Sequence, residues 1–257
     1  MARLTIEADK AAMSETAAER ITSRFEAAIA ARGMAAVSLT GGSTPDLLYA
    51  LLADPKRPWR QRVDWGCVHL FWGDEREVPP DYPESNYGLA HRLLLQHVGI
   101  PETQLHRMRG ELPASDAGRL YDAVLRARRD QTAGPLFDLM LLGIGENAHI
   151  ASIFPGSPLL LPGNANHEGS RHRLATGVAV PELGTWRITM TPAALLDSAA
   201  IIMIAAEASK AGAIAAAIEG PLDVPRYPAQ LLRDAGDRVE WIIDSAAAAR
   251  LRAARRG

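Results

Sequence analysis

The 257-residue chain is expected to fold as an α/β protein, a doubly wound, mostly parallel sheet with helices on both faces. Three observations carry that expectation. Short apolar runs closed by glycine or a polar turn alternate with amphipathic stretches of helical length. Ala199 to Ala205 is apolar at every position and Phe137 to Leu142 at all but Asp138, as strands buried on both faces are. Composition is ordinary globular material, 47% hydrophobic and 23% charged, and no repeat or low-complexity linker divides residues 1–257 into separate domains.

Composition also narrows the partners. A net charge of -2 gives no field to draw nucleic acid or an anionic membrane, so a small-molecule partner is expected. Cys67 is the single cysteine, which leaves no intrachain disulfide and no cysteine zinc cluster. The N-terminus lacks the apolar core of a signal peptide, and even Ala199 to Ala206 stops short of the roughly 20 residues a membrane span needs. A cytoplasmic monomer or weak homodimer is the expectation.

Along the chain, Ala18, Ile21, Phe25, Ala28 and Ile29 mark one face of a helix, with Thr16 and Glu19 as a capping box and Gly33 as the stop. Ala35 to Thr40 reads as a strand running into Gly41-Gly-Ser-Thr-Pro45 and a helix from Asp46 to Leu52. Thr44 suits the N-cap and Pro45 the first helical position, so the free N–H groups of a helix start would face the turn and favour phosphate. The same residue types also build plain turns. Val68 to Trp72 is the next strand and ends in Gly73-Asp-Glu-Arg-Glu-Val-Pro79, where Arg76 can pair with a phosphate and Asp74 can orient a catalytic base. Ser85 opens a helix through Leu95, Leu105 to Pro113 is a connector, and Ala114 to Arg129 is a helix whose Arg126, Arg128 and Arg129 form an exposed basic face.

Phe137 to Leu142 is a short buried strand closed by Gly143, and the turn after it ends on His149. Ligands in open parallel sheets sit beyond the carboxyl ends of strands, and an imidazole titrating near neutral pH can take a proton from water. Pro162 to Arg173 reads as a mobile loop with exposed His167 and His172. Trp186 to Met190 is strand-like and runs into a Thr191 cap with Pro192 at the first helical position; Ala199 to Ala205 is a buried strand. Ser209 and Lys210 open an alanine-rich helix to Glu219, where a first-turn lysine opposes the helix dipole unless an anion answers it. Tyr227 to Leu232 looks irregular, Val239 to Ile243 is the last strand, and Asp244 or Ser245 caps a terminal helix.

Residues 41–44, 74–76 and 143–149 are polar clusters at three strand ends, and a parallel sheet brings them to one edge. Other chemistries lack their motifs: there is no Gly-x-Ser-x-Gly elbow, no His-Glu-x-x-His, and no Walker lysine after Gly41-Gly42. Gly143-Ile-Gly145-Glu-Asn-Ala148 fits the weak dinucleotide pattern, yet the acidic residue it needs is not at the end of the next strand, since Glu168 lies in a Gly/Asn-rich loop. Neither a metal nor a cofactor is expected.

Leu39-Thr-Gly-Gly-Ser-Thr-Pro45, Gly73-Asp-Glu-Arg76 with Val78-Pro79, Ser85-Asn-Tyr87, Gly143-x-Gly145 through His149 to Phe154-Pro-Gly156, Arg187-Ile-Thr189 and Pro228-Ala-Gln-Leu231 together resemble the 6-phosphogluconolactonase family over most of the chain. The resemblance implies a metal-free hydrolase of 6-phosphoglucono-δ-lactone in the oxidative pentose phosphate pathway. It implies His149 as the base that activates water, with Gly42, Ser43, Thr44, Arg76, Arg187 and Lys210 around the sugar phosphate. The chain departs from the pattern at the histidine, where the family usually writes Asp-Gly-His-Thr and this sequence has Asn147-Ala148-His149-Ile150. An alanine replacing a glycine of positive φ would be strained by about 1 kcal/mol. Losing the aspartate removes a carboxylate that could raise the basicity of the histidine. Glu207 also stands where the family tends to have glycine before the lysine. The sequence therefore leaves open a glucosamine-6-phosphate deaminase or isomerase, which shares the Gly-Ser-Thr turn and an isoleucine like Ile150. That enzyme carries a glutamate where Phe154 stands and favours Asp-Glu-Tyr over Asp74-Glu75-Arg76. A non-catalytic regulator that binds sugar phosphates is the other open reading.

Overall fold

In the computed structural model, which describes residues 2–161 and 173–252, seven strands form one parallel sheet. Their order is β1 (Arg3–Glu7), β10 (Val239–Asp244), β9 (Ile201–Ala205), β6 (Leu139–Leu142), β2 (Ala35–Leu39), β3 (Val68–Trp72) and β5 (Leu105–His106). Every pairing in it is parallel. Alternate residues of the inner strands enter two different cores, which is why β6 and β9 are apolar at every position. Val37, Leu39, Ile202 and Ile204 enter one core, closed by α1 (Lys10–Arg32), α2 (Asp46–Ala53), α3 (Pro58–Arg62) and α4 (Asn86–Leu93). Ala36, Met140, Ile201 and Met203 enter the other, closed by α5 (Ala114–Asp130), α6 (Pro192–Leu196), α7 (Ala211–Glu219) and α8 (Ser245–Ala248). The chain is doubly wound, with helices on both faces.

The segment from Trp186 lies elsewhere. A second, antiparallel sheet of β4 (Asp74–Arg76), β8 (Thr185–Met190) and β7 (Ala175–Val180) stands beyond the main one, and β7 turns into β8 through Pro181–Leu183 and Gly184, whose φ is +60°. The cluster 74–76, read as a polar cluster at the end of a strand, is itself a strand because it pairs with β8.

The site is set by the connections of β2. The chain leaves β2 for β3 on one side, returns to β6 on the other, and continues from there to β9 and β10. Segments leaving the adjacent carboxyl ends of β2 and β6 diverge and open a crevice between them.

Some local expectations are corrected. Helix α1 starts at Lys10, capped by Asp9, whose carboxylate accepts from Ala12 N (2.9 Å). Thr16 and Glu19 therefore lie inside it, Thr16 donating to Glu7 and Glu19 holding Arg62 and Trp59. Helix α2 starts at Asp46 with Pro45 in the N-cap place, and Thr44 makes no capping bond. Gly33 (φ +75°), Ser85 and Asp244 do end or cap their helices as read. Arg128 and Arg129 are tied down rather than free at the surface: Arg128 Nε donates to Leu136 O (2.7 Å), and Arg129 pairs with Asp197. Tyr227 to Leu232, expected to be irregular, lies from Pro228 onward in a 3₁₀ run, Pro228–Arg238, broken at Gly236. Strand β1 and the two-residue β5 were not read from sequence, and β5 falls in the expected connector. Of the Pro162 to Arg173 loop, residues 162–172, with His167 and His172, lie outside the described residues.

Candidate active site

The first wall of the crevice is the turn after β2. Gly42 has φ +90°, and a Cβ on Gly41 would overlap the Asn86 side chain, so both glycines are required by the backbone path. Buried Tyr49 holds the turn from beneath: its hydroxyl donates to Thr40 O (2.5 Å) and accepts from Thr40 N (3.2 Å). Lys10 Nζ donates to Ser43 O (2.6 Å) and pairs with Asp46 (2.8 Å). Gly42, Ser43 and Thr44 all line the cleft.

Strand β4 forms the floor, and its period of two sorts three charges. Asp74 and Arg76 face the cleft, whereas Glu75 points away into the start of α4. There its carboxylate accepts from Asn86 N (2.8 Å), Tyr87 N (2.8 Å), Arg76 N (2.7 Å) and Ser85 Oγ (3.0 Å). Burial pushes Glu75 up, and those hydrogen bonds pull against it. Asp74 is almost fully buried, accepting from Ser152 Oγ (2.6 Å) and Asn86 Nδ2 (3.0 Å). Asn86 also accepts from Arg76, fixing one guanidinium nitrogen.

Arg187 on β8 stands opposite Arg76 in the antiparallel register. No hydrogen bond or ion pair holds its guanidinium among the described residues; burial, then the adjacent Arg76, pushes its pKa down. Two neighbouring cations that both face a cleft destabilise each other, and an anion between them would relieve it. Lys210, expected in the first turn of a helix, sits at the junction of the 3₁₀ turn Ala208–Lys210 with α7. It lines the same cleft, and among the described residues its one ion pair is with Glu146 at 3.9 Å.

His149 is placed by the loop after β6. Gly145 N donates to His149 O and Ala148 N to Gly145 O, both at 2.9 Å, which folds the loop back on itself. A Cβ on Gly145 would overlap the imidazole, so only glycine leaves room for the ring there. The other side of the ring stacks on Phe154, with centroids 4.0 Å apart and planes 15° apart. His149 Nδ1 donates to Asn147 Oδ1 (2.7 Å), an atom that can only accept, so the lone pair is on Nε2. Burial, aided by Lys210, Arg187 and Arg76 and opposed by Asp74, lowers the histidine from 6.5 to about 4. The expectation of a base titrating near neutral pH is corrected by that environment. Asp74 faces the same cleft, but the ring donates its hydrogen bond to Asn147.

Ala148, at φ +66°, adopts the left-handed backbone that its sequence context suggested, and Glu207 has φ +82°. The cleft measures about 470 Å³ and gathers Gly42, Ser43, Thr44, Asp74, Arg76, His149, Arg187 and Lys210, every candidate read from the sequence. Asn86, Ser152 and Glu182 were not singled out as site residues. Asn86 was read only as part of a helix start, and no local pattern marks a Ser152 that meets Asp74 across 78 positions. Among the described residues no group of three His, Cys, Asp or Glu side chains is placed to hold a metal ion, and no helix is long and apolar enough to cross a membrane.

The family model described as glucosamine-6-phosphate isomerases/6-phosphogluconolactonase matches residues 8–241. A 6-phosphogluconolactonase of Mycobacterium tuberculosis is 38% identical over 245 residues, covering 91% of this chain and 92% of that one. One from Synechocystis is 35% identical over 248 residues, covering 95% and 96%. Among solved structures, 6-phosphogluconolactonase from Trypanosoma cruzi superposes with a TM-score of 0.79 at 26% identity, covering 98% of this chain and 97% of that one.

Proposed function

The chain belongs to the glucosamine-6-phosphate isomerase/6-phosphogluconolactonase family, and from that premise we propose that it hydrolyses 6-phosphoglucono-δ-lactone to 6-phosphogluconate, serving the oxidative pentose phosphate pathway. The observation that carries this reading is a neutral imidazole with its Nε2 lone pair free, in a cleft with three cations. Arg76, Arg187 and Lys210 hold the phosphate dianion, helped by the N–H groups of Gly42, Ser43 and Thr44. His149 Nε2 takes a proton from water as the water oxygen attacks the lactone carbonyl. The tetrahedral oxyanion then collapses, the ring C–O bond breaks, and the departing ring oxygen takes the proton from the imidazolium, so acid and base are one residue. Asp74 keeps negative charge within reach of that imidazolium.

A lactone is an activated ester, so this modest equipment suffices without a covalent intermediate. Phe154 favours the lactonase over the deaminase reading, because the side chain stacked on the base has no proton to give or take. The test follows proton release in freshly prepared 6-phosphogluconolactone against its spontaneous opening. Wild type should exceed that background, and His149→Asn should lose about 10²–10⁴-fold in kcat while remaining folded. A folded His149→Asn protein with nearly full kcat, or a trapped acyl-serine, would refute the reading.

A further inference from the structure

We infer that Glu182 is a positioning residue for His149, acting through the side-chain amide of Asn147 to fix which imidazole nitrogen carries the proton. Glu182 belongs to the exposed Pro181–Leu183 turn between β7 and β8, which Gly184 closes in the left-handed conformation. Its Oε1 accepts from Asn147 Nδ2 (2.8 Å). On its other side the same amide offers Oδ1 to His149 twice, accepting from Nδ1 (2.7 Å) and from the backbone N (3.2 Å).

An amide has one accepting end and one donating end, and here all its neighbours agree on the orientation. Turned by half a revolution, Asn147 would set its oxygen against the Glu182 carboxylate and its NH₂ against a backbone N–H. The carboxylate at 2.8 Å, backed by the longer bond from the backbone N–H at 3.2 Å, therefore selects the orientation that forces Nδ1 to donate and leaves Nε2 unprotonated. The remaining freedoms of the ring are already closed, its plane being held between Phe154 and the bare Cα of Gly145. Asp74, Lys210, Arg187 and Arg76 act on its charge from the surrounding elements, but none of them hydrogen-bonds the ring among the described residues.

Without such a role Glu182 is out of place. It lines the cleft that gathers Arg76, Arg187 and Lys210, where a carboxylate repels an anionic ligand. Its bond to Asn147 also polarises the amide and makes Oδ1 a better acceptor, which strengthens the base.

The kinetic consequence rests on the lactonase reading; the tautomer does not, and the two are measured separately. Nitrogen-15 NMR of the histidine side chains near pH 7 should show the His149 ring as pure Nδ1–H tautomer in wild type and in Glu182→Gln, whose amide oxygen can still accept. In Glu182→Ala it should become a mixture. In lactone hydrolysis Glu182→Ala should lose roughly three- to tenfold in kcat, the span of one ordinary hydrogen bond, with KM unchanged or lowered because a negative charge has left the cleft. The sign should reverse in an Asn147→Asp background, where two carboxylates would confront each other: there Glu182→Gln should raise kcat. A pure Nδ1–H tautomer in Glu182→Ala, or a loss of kcat on Glu182→Gln in the Asn147→Asp background, would overturn the inference. If wild type opened no lactone yet Glu182→Ala still mixed the tautomers, the positioning role would stand and the proposed reaction would fall.

Discussion

Acid should leave this site untouched well below neutral pH, because the base is lowered to about 4. A ring with that midpoint is only about 10% protonated at pH 5, whereas an unperturbed histidine would be roughly 97% protonated there. Once corrected for ionisation of the substrate phosphate, kcat/KM should therefore stay nearly flat from pH 8 to pH 5 and fall only below it. The direct assay is an NMR titration of the free protein, with His149→Gln to assign the ring among seven histidines. Stability moves with the same groups. His106, lowered to about 4 by burial and then by His69 and Arg128, joins His149 in having a folded pKa below the unfolded value of 6.5. The unfolded chain thus binds protons that the folded chain refuses, so stability is complete above about 6.5 and is lost as pH falls toward 4. Each ring contributes at most about 2 kcal/mol of that loss at pH 5, and less where water reaches it. A His149 midpoint between 6 and 7, matched by a kcat/KM limb there that disappears in His149→Gln, would refute the reasoning.

Backbone strain, phosphate binding and ring placement give three further expectations. Exposed Glu207 holds φ +82° and ψ +145°, close to a region essentially reserved for glycine, at a cost of about 1–3 kcal/mol. Glu207→Gly should recover about 1 kcal/mol net of the entropy of the freer unfolded chain and raise Tm by about 2–4 °C; an unchanged or lower Tm counts against strain. Ala148→Gly should be close to neutral in the same melt, since its buried methyl, worth about 0.8 kcal/mol, is lost with the strain. Arg187→Ala and Lys210→Ala should each raise KM for the phosphorylated lactone, with roughly 1.5–3 kcal/mol of charge-assisted bonding at stake; initial rates that leave KM unchanged in both would put the phosphate elsewhere. Gly145→Ala should push the imidazole out of place and lower kcat by about 10²-fold or more with circular dichroism unchanged, and full kcat would show that the ring position is not critical.

What the sequence made legible was the doubly buried part of the fold. Strands β6 and β9 are apolar at every position, and β2 at every position but Ser38, because both faces are covered, and the glycines after β2 and β6 mark turns whose positive φ or close contacts tolerate little else. The antiparallel sheet was harder to read. Strand β4 is three charged residues, and it becomes a strand only by pairing with β8, which no local period announces. The same limit hid the site's supporting shell. Arg76 and Arg187 become neighbours through register, and Asn147 meets Glu182 across 35 positions. Caps failed where several candidates competed. Thr16 fits a capping box by type, but helix-forming residues from Lys10 onward let Asp9 start the helix earlier.

The cleft's cations serve two demands that oppose each other. Arg76, Arg187 and Lys210 suit a phosphate dianion, yet the same charges lower His149 and make it a weaker base. Proton transfer to a base of pKa about 4 is less favourable than to one near 7, so the cations by themselves work against catalysis. Substrate should resolve the conflict, because a phosphate held among the cations would neutralise them and remove part of their effect on the ring, while Asp74 would continue to favour the imidazolium. Burial remains the largest cause, so the recovery is partial. The acid limb of kcat, which reports the complex, should then lie higher in pH than that of kcat/KM, which reports the free protein. With Arg187→Ala the free ring should titrate higher and the gap should narrow. Coincident limbs in wild type, with a His149 midpoint unmoved by Arg187→Ala, would mean that the cations and the base do not communicate.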